Sequence, residues 1–310
     1  MHAITQRTFG DPQVLELTEA ERPVPLPTEV LVRVRAAGVN PVDAMIRSGA
    51  FPLFGQPPFV LGWDISGVVE EVVPGVTRFQ VGDEVYGMPL FPRVGSAYAE
   101  YVVAPSRQLA RKPAGLDHVH AAALPLAGLT AWQSLVDVAD LRAGQKVLVH
   151  GGGGGVGHLA VQIAKARGAE VVATAGADKH EFVRGLGADQ VIDYRTADFT
   201  ELVADADVVL DAVGGGYGSR SIRALRPGGL LVTLVDRTDT ALKQEAEAAG
   251  RRFAGVTVEP DGAALEALTA LVEAGSLRPY VEHALPLAEA AKAHELVETG
   301  RTRGKLVLTL

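Results

Sequence analysis

Up to about residue 115, apolar side chains fall in short runs. The segments Glu29–Arg35, Gly67–Val73 and Ala99–Ala104 are rich in valine, and Leu31-Val32-Arg33-Val34-Arg35 alternates as a strand with one wetted face does. Proline and glycine punctuate them at Pro23–Pro27, Pro74-Gly75 and Val81–Glu84. Many short strands between turns predict a small barrel or sandwich, and the proline density argues against long helices. From about Asp117 the pattern changes. The stretch His120–Leu135 is alanine-rich and helical, interrupted at Pro125 and Gly128. Strands are then predicted at Val147–His150, Glu170–Ala175, Gln190–Asp193, Val208–Val213 and Gly229–Val235. Between and after them, helical spacing recurs at Val156–Ala166, Asp178–Gly185, Ala197–Val203, Ser219–Leu225 and Ala241–Ala249, before a sixth strand at Arg252–Val258. Strict alternation of strand and helix predicts an α/β domain with a parallel sheet covered on both faces. The tail holds amphipathic helices at Ala263–Ala274 and Ala288–Glu298 and a strand at Gly304–Leu310. It is too short for a domain and is predicted to complete the first one, which divides the chain into residues 1–117, 118–258 and 259–310.

One stretch is unlike scaffold. The apolar run Lys146–Val149 leads through His150 into seven residues of which six are glycine, and a helical pattern follows at once. Within it Gly152, Gly154 and Gly157 have the G-x-G-x-x-G spacing, here between a strand and a helix as a dinucleotide loop requires. In such a loop the first glycine makes the tight turn, the second lets a pyrophosphate approach, and the third lets helix and strand pack closely. Gly155 and Val156 complete the loop. An NAD-preferring fold carries a carboxylate at the tip of the second strand. This strand ends at Ala175-Gly176, with Asp178 in helix-capping position and Lys179 behind it. A small tip with a lysine suits a 2′-phosphate, which an acid would repel. NADPH is therefore the expected cofactor, with Thr174 adding a hydroxyl.

Composition narrows the alternatives. Of 310 residues, 47% are hydrophobic and 21% charged, as in a folded chain with a large core. A net charge of −8 argues against a nucleic-acid or anionic-membrane surface. With no cysteine, disulfides, thiolate zinc sites and a cysteine nucleophile are excluded, and no H-x-x-x-H pair exists among the eight histidines. No basic-then-apolar leader opens the chain and no run approaches a membrane span, so a cytoplasmic location is the expectation.

Taken together, the quoted parts resemble the medium-chain dehydrogenase/reductase superfamily, and more closely its zinc-independent quinone oxidoreductase (zeta-crystallin-like) branch. The resemblance spans essentially the whole chain. It rests on Val39–Asp43 with Ile46–Gly49, Leu61–Gly67, Val81–Val85, Gly128–Ala131, Val149–Gly157, Ala160–Lys165, Leu186–Asp189 and Val191–Tyr194. It implies a GroES-like catalytic domain beside a Rossmann domain. Zinc-dependent relatives place a cysteine at the position of Asn40 and Gly-His-Glu at Gly62-Trp63-Asp64, so the resemblance implies no metal site here. It also implies that Asn40 and Thr130 face the nicotinamide end of the cofactor, that Lys179 and Tyr194 hold the 2′-phosphate, and that Val213, Leu234 and Lys305 contribute to cofactor binding. The family loop usually reads Ala-Ala-Gly-Gly-Val-Gly, and glycine at 152 and 153 is expected to change flexibility more than function. Relatives pair across a dimer through the sixth strand, which makes a homodimer the expected state.

Without a metal, reduction of a simple carbonyl lacks its Lewis acid. Conjugate reduction of a quinone or enone is easier: charge develops on a distant oxygen that hydrogen-bond donors can hold, and solvent can supply the proton. Asn40, Asp43 and Trp63 are the expected catalytic-site residues, although composition alone leaves Asn40 or Asp43 open as a helix cap and Trp63 as core. A substrate cleft between the domains would be lined by Phe51, Phe54, Tyr86, Met88, Leu90 and Phe91. The expected activity is NADPH-dependent quinone or enone reduction. The alternatives are enoyl-thioester reduction in lipid or polyketide assembly, and a non-catalytic NADPH-binding protein.

Overall fold

In the computed structural model, which describes residues 1–310, the strands in chain order are β1 (His2–Gln6), β2 (Leu15–Glu19), β3 (Glu29–Val39), β4 (Phe59–Val60), β5 (Asp64–Val72), β6 (Glu84–Gly87), β7 (Tyr101–Pro105) and β8 (Leu109–Arg111). They continue with β9 (Lys146–Val149), β10 (Glu170–Ala175), β11 (Gln190–Asp193), β12 (Ala206–Asp211), β13 (Leu225–Thr233), β14 (Arg252–Gly255), β15 (Val281–Pro286) and β16 (Lys305–Thr309). Two units result. Met1–Leu129, Glu259–Ala274 and Pro279–Leu310 form the first; Thr130–Val258 and Gly275–Arg278 form the second.

In the first unit a seven-stranded sheet runs β15-β16-β3-β5-β6-β8, with β7 also on β3, and a smaller sheet runs β2-β1-β4. The long strand β3 organises the larger sheet. Its alternation leaves Arg33 and Arg35 exposed while Val30, Val32, Val34 and Ala36 are buried. It continues to Val39, beyond the predicted end at Arg35, because Ala36–Val39 is clasped between β5 on one side and β16 on the other. Small residues have little strand propensity of their own, so only this pairing carries the strand onward. The helix His118–Ala122 belongs to this unit, which moves the boundary from the predicted 117–118 to 129–130. Its reason is apolar: Val119, Ala122 and Ala123 pack against Ala36 and Val307. Gly128 does not interrupt the next helix, Pro125–Trp132; the break falls ahead of Pro125, which lacks an N–H to continue the preceding turn.

The second unit is a parallel six-stranded sheet in the order β11-β10-β9-β12-β13-β14, the α/β architecture expected. Leu148, Val172, Val209 and Leu231 from four adjacent strands meet Phe199, Ile222 and Leu242 from covering helices. Four predicted strands ran past the observed ends, β9 by one residue, β12 and β13 by two and β14 by three. Strand β12 stops at Asp211, whose carboxylate accepts the Val213 and Gly214 amides at 2.9 and 3.0 Å and turns the chain out. Strand β14 stops at Gly255, where a Cβ would lie 2.0 Å from the Arg237 carbonyl oxygen. From β9 the chain winds outward through β10 and β11, then returns to β12 on the other flank of β9. Such a reversal opens a ligand crevice at the carboxyl ends of the strands. No helix is long and apolar enough to cross a membrane.

Candidate active site

The glycine loop sits at that reversal. Its left-handed residue is Gly151 (φ 66°), so the tight turn falls one position ahead of the fingerprint's first glycine. The Thr174 hydroxyl accepts the Gly151 amide at 3.2 Å, and the Gly152 amide donates to the Thr174 carbonyl at 2.9 Å. His150 lies beside Thr174, its Nδ1 3.2 Å from the same hydroxyl and its Nε2 3.0 Å from Ser221 Oγ. Burial pushes this imidazole down to about 3, so it is neutral. Thr174 is therefore committed to holding the loop, not offered as the cofactor-facing hydroxyl that was expected. Gly157 is required by contact: a Cβ there would lie 2.1 Å from the Gly151 carbonyl oxygen. Glycine at 152 and 153 does more than loosen the loop. A Cβ on Gly152 would meet the Ala173 Cβ at 2.8 Å, and one on Gly153 would meet Lys179 Cδ at 2.8 Å. The lysine stem lies across the loop where a methyl would stand.

Charge gathers at the tip of β10. The Arg195 guanidinium carbon is 3.1 Å from where a Gly176 Cβ would be, and its Nη1 is 3.6 Å from Asp178 Oδ1. Tyr194 precedes it at the end of β11, with the Arg195 guanidinium 5.4 Å from its ring. Tyr194 and Val213 stay exposed just past the carboxyl ends of β11 and β12, and Leu234 donates its amide to the Asp211 carbonyl at 2.9 Å. Sequence reasoning missed Arg195, although it directly follows Tyr194. Backbone amides of a glycine loop, a helix N-terminus, a lysine and an arginine form a donor set that fits a dinucleotide with a 2′-phosphate.

In the first unit, sheet register assembles a polar ring. Asp64 stands opposite Gly38 on β5, and Leu306 stands opposite Val39 on β16. Asn40, one residue past the end of β3, therefore meets side chains from both flanking strands. Its Nδ2 donates to Asp64 Oδ2 at 2.9 Å, and the Lys305 ammonium donates to Asn40 Oδ1 and, at 3.2 Å, to Asp64 Oδ2. The Leu126 amide donates to Asp64 Oδ1 at 2.7 Å. All three side chains are buried. Lys305, expected at the cofactor, is thus closed onto Asn40 and Asp64 because β16 pairs with β3. Asp64 was missed as a site residue; its signal was its place within Gly62-Trp63-Asp64. Thr130 is buried in the helix Pro125–Trp132.

Asp43 supports this ring from below. It is the third residue of the helix Pro41–Ser48, which Asn40 precedes as N-cap, and its Oδ2 accepts the Asn40 backbone amide at 2.8 Å. The Tyr98 hydroxyl donates to the same oxygen at 3.1 Å and lies 3.2 Å from His294 Nε2. Burial, with the negative charge of Asp64, pushes the Asp43 carboxyl up to about 7. Burial pushes His294 down to about 3. Asp43 is wholly enclosed and acts as a cap, the reading that composition had left open.

The expected pocket residues separate into two groups. Phe54, Trp63 and Phe91 form a chain of edge-on contacts with centroids 5.4 and 4.9 Å apart, extended by Phe59 and Phe9. Trp63 is buried and donates its indole N–H to the Arg93 carbonyl at 2.7 Å, which ties the Leu90–Val94 loop down. Leu90 takes a left-handed φ of 66° and donates its amide to Gln108 Oε1 at 2.7 Å. Phe51 is half-buried. Tyr86 and Met88 are core, not pocket lining: both are fully buried, and the Tyr86 hydroxyl donates to the Leu265 carbonyl at 2.6 Å. No three His, Cys, Asp or Glu side chains gather as a metal site requires.

Comparison with known proteins agrees with this arrangement of parts. The family described as "Alcohol dehydrogenase GroES-like domain" matches residues 26–114, and that described as "Zinc-binding dehydrogenase" matches residues 186–308. The "NAD(P)H oxidoreductase RTN4IP1, mitochondrial" of Mus musculus is 34% identical over 97% of this chain and 87% of its own length. The solved quinone oxidoreductase from Coxiella burnetii is 39% identical, with a TM-score of 0.94 over 100% of this chain and 99% of that one. The Escherichia coli quinone oxidoreductase complexed with NADPH is 29% identical, with a TM-score of 0.88 over all of both chains.

Proposed function

This chain belongs to the zinc-independent medium-chain dehydrogenase/reductase family, in its quinone oxidoreductase branch, and on that premise we propose that it is an NADPH-dependent reductase of quinones or of the conjugated C=C of α,β-unsaturated carbonyls. The observation that carries the cofactor choice is the tip of β10, where Lys179 lies along the glycine loop and Arg195 over Gly176. Asp178 lies 3.6 Å from the Arg195 guanidinium, which neutralises it in part, and Asp193 accepts the Arg195 backbone amide at 3.0 Å. The similar E. coli enzyme was solved with NADPH.

A bound nicotinamide supplies the hydride. The protein's own residues bind, orient and stabilise. Amides of the glycine loop and of the N-terminus of the helix Gly157–Ala166 would face the pyrophosphate, while Lys179, Arg195 and Tyr194 would hold the 2′-phosphate. Asn40 donates an amide hydrogen to the substrate oxygen on which negative charge develops, and Asp43 fixes the Asn40 backbone. Phe54 and Phe91, braced by Trp63, supply the apolar surface for the ring or alkene. Solvent supplies the proton.

Support for a homodimer comes from β14, a terminal strand of its sheet with an unpaired edge. Light scattering on the eluted protein would report monomer mass if that pairing does not form.

The decisive assay follows NADPH absorbance against a panel of quinones, enones and enoyl-thioesters. Turnover of a quinone or enone is expected. Turnover confined to enoyl-thioesters would move the enzyme to lipid or polyketide chemistry. Tight NADPH binding with no acceptor reduced would make the chain a non-catalytic binder.

A further inference from the structure

Asn40 is the only asparagine in the chain. Its side chain is held at both ends by opposite charges: the Lys305 ammonium on Oδ1 and the Asp64 carboxylate on Nδ2. A flipped amide would turn NH₂ toward the ammonium and the carbonyl toward the carboxylate. Both contacts would change from attractive to repulsive, with all three groups shielded from water. Two donors cannot hydrogen-bond each other, nor can two acceptors.

We infer that Lys305 and Asp64 are positioning residues that lock the Asn40 amide as a one-way hydrogen-bond donor, and that the ligand atom it serves is therefore an acceptor, the oxygen of a carbonyl compound becoming an enolate. This inference rests on the reductase reading above. The reasoning is donor arithmetic. An amide carries two N–H hydrogens, and Asp64 takes one. The ammonium occupies one lone pair of Oδ1 and its charge weakens the other as an acceptor while strengthening the N–H groups as donors, so the site favoured for a ligand is the second hydrogen. Lys305 also polarises the amide and places a positive charge one bond network away from the oxygen that becomes negative.

The backbone is built to keep this lock. A Cβ on Gly38 would lie 2.8 Å from both Asp64 Cβ and Oδ2, so only glycine lets the carboxylate lie across the end of β3. Gly304 has φ 61°, and a Cβ on it would lie 2.3 Å from the Tyr280 carbonyl oxygen. That turn delivers Lys305, whose own amide donates to the same carbonyl at 2.9 Å. A lysine reaching in by chance would not need a glycine on each side of the ring.

The single asparagine makes the test direct. Protein labelled only with [15N]asparagine gives one side-chain NH₂ pair by NMR, from Asn40. In the wild type we expect two sharp proton signals spread further apart than those of a free asparagine amide, one of them shifted downfield by the carboxylate. Lys305→Arg keeps the charge and should keep the pair nearer to its wild-type positions than the neutral variant does. Lys305→Met should move the pair toward the positions of a free asparagine amide or broaden it, and lower kcat about 10- to 100-fold, up to the loss seen when an oxyanion donor is removed. Its NADPH dissociation constant should stay within about threefold. If Lys305→Met fails to fold because Asp64 is left unpaired, Lys305→Met/Asp64→Ser removes both charges and leaves asparagine unique. An unchanged Asn40 pair in Lys305→Met, or in the double variant where that one does not fold, overturns the lock. A displaced or broadened pair with undiminished kcat overturns its role in turnover. If the wild type reduces no acceptor, the reductase reading fails, while the NMR pair still decides the lock.

Discussion

Cofactor choice gives the sharpest quantitative prediction. Lys179→Ala and Arg195→Ala each remove one cation from the tip of β10. A hydrogen bond to a charged partner contributes about 1.5–3 kcal/mol. The Arg195 side chain is 56% exposed, so water and salt weaken its contact. About 1–2 kcal/mol per residue is reasonable, which is roughly a 5- to 30-fold weaker NADPH dissociation constant. NADH lacks the phosphate and should change less than about twofold. The Arg195–Asp178 pair at 3.6 Å is an exposed ion pair, so breaking it costs at most about 1 kcal/mol. Asp178→Asn should therefore tighten NADPH by up to about fivefold, since the carboxylate no longer competes for the guanidinium or repels the phosphate. Titration by quenching of protein fluorescence at two salt concentrations measures all of this. Equal losses for NADPH and NADH in Lys179→Ala and Arg195→Ala would refute the phosphate role, and a weaker NADPH affinity in Asp178→Asn would refute the competition.

Stability should fall with acid through two buried imidazoles. His150 and His294 titrate near 3 in the fold but near 6.5 when unfolded, so below about pH 6.5 each favours unfolding by about 1.4 kcal/mol per pH unit. Asp43, raised to about 7 from 3.8, works the other way, stabilising the fold as pH falls through 7 toward 3.8. The net expectation is a loss of about 1.4 kcal/mol per unit between roughly pH 6.5 and 4, checked by urea unfolding at stepped pH; a flat profile would count against it. Asp43→Asn should steepen that slope toward about 2.7 kcal/mol per unit. Gly157→Ala should lower the melting temperature by several degrees and abolish tight NADPH binding, because the clash is with backbone. By contrast, Gly185→Ala meets no atom within 4 Å at a helical position and should raise stability by about 0.4–1 kcal/mol. Trp63→Phe loses the hydrogen bond to Arg93, and thermal unfolding should show a cost of about 1–2 kcal/mol; a neutral result would mean that the Leu90–Val94 loop is held by its other contacts.

What could be read from the sequence alone was local. Period-two and 3.6-residue patterns located the strands of the second unit, two of them, Glu170–Ala175 and Gln190–Asp193, with the bounds observed. Such patterns record which face of a segment is buried, and that is decided within a few residues. The phosphate loop was legible for the same reason, since turn, strand and helix N-terminus are contiguous. The end of β12 at Asp211 was not, because a side-chain cap sets it. Nor was the place of His118–Leu129, whose alanines are neutral in pattern and choose their unit by what they pack against.

Site chemistry divides along the same line. Asn40 and Lys179 stood out by position in the chain, but of the two partners that orient Asn40, Asp64 lies 24 residues away and Lys305 lies 265 away. Tyr98 and His294, 196 residues apart, carried no signal at all. Sheet register brings these groups together: β5 and β16 both lie against β3, so Asp64 and Lys305 arrive on either side of its end. The sequence by itself determined an α/β chain with a phosphate-binding loop and a polar residue at 40. Only the tertiary structure decided that this residue is clamped between a buried cation and a buried anion, because the charges that clamp it become neighbours, and lose their water, when the strands pair.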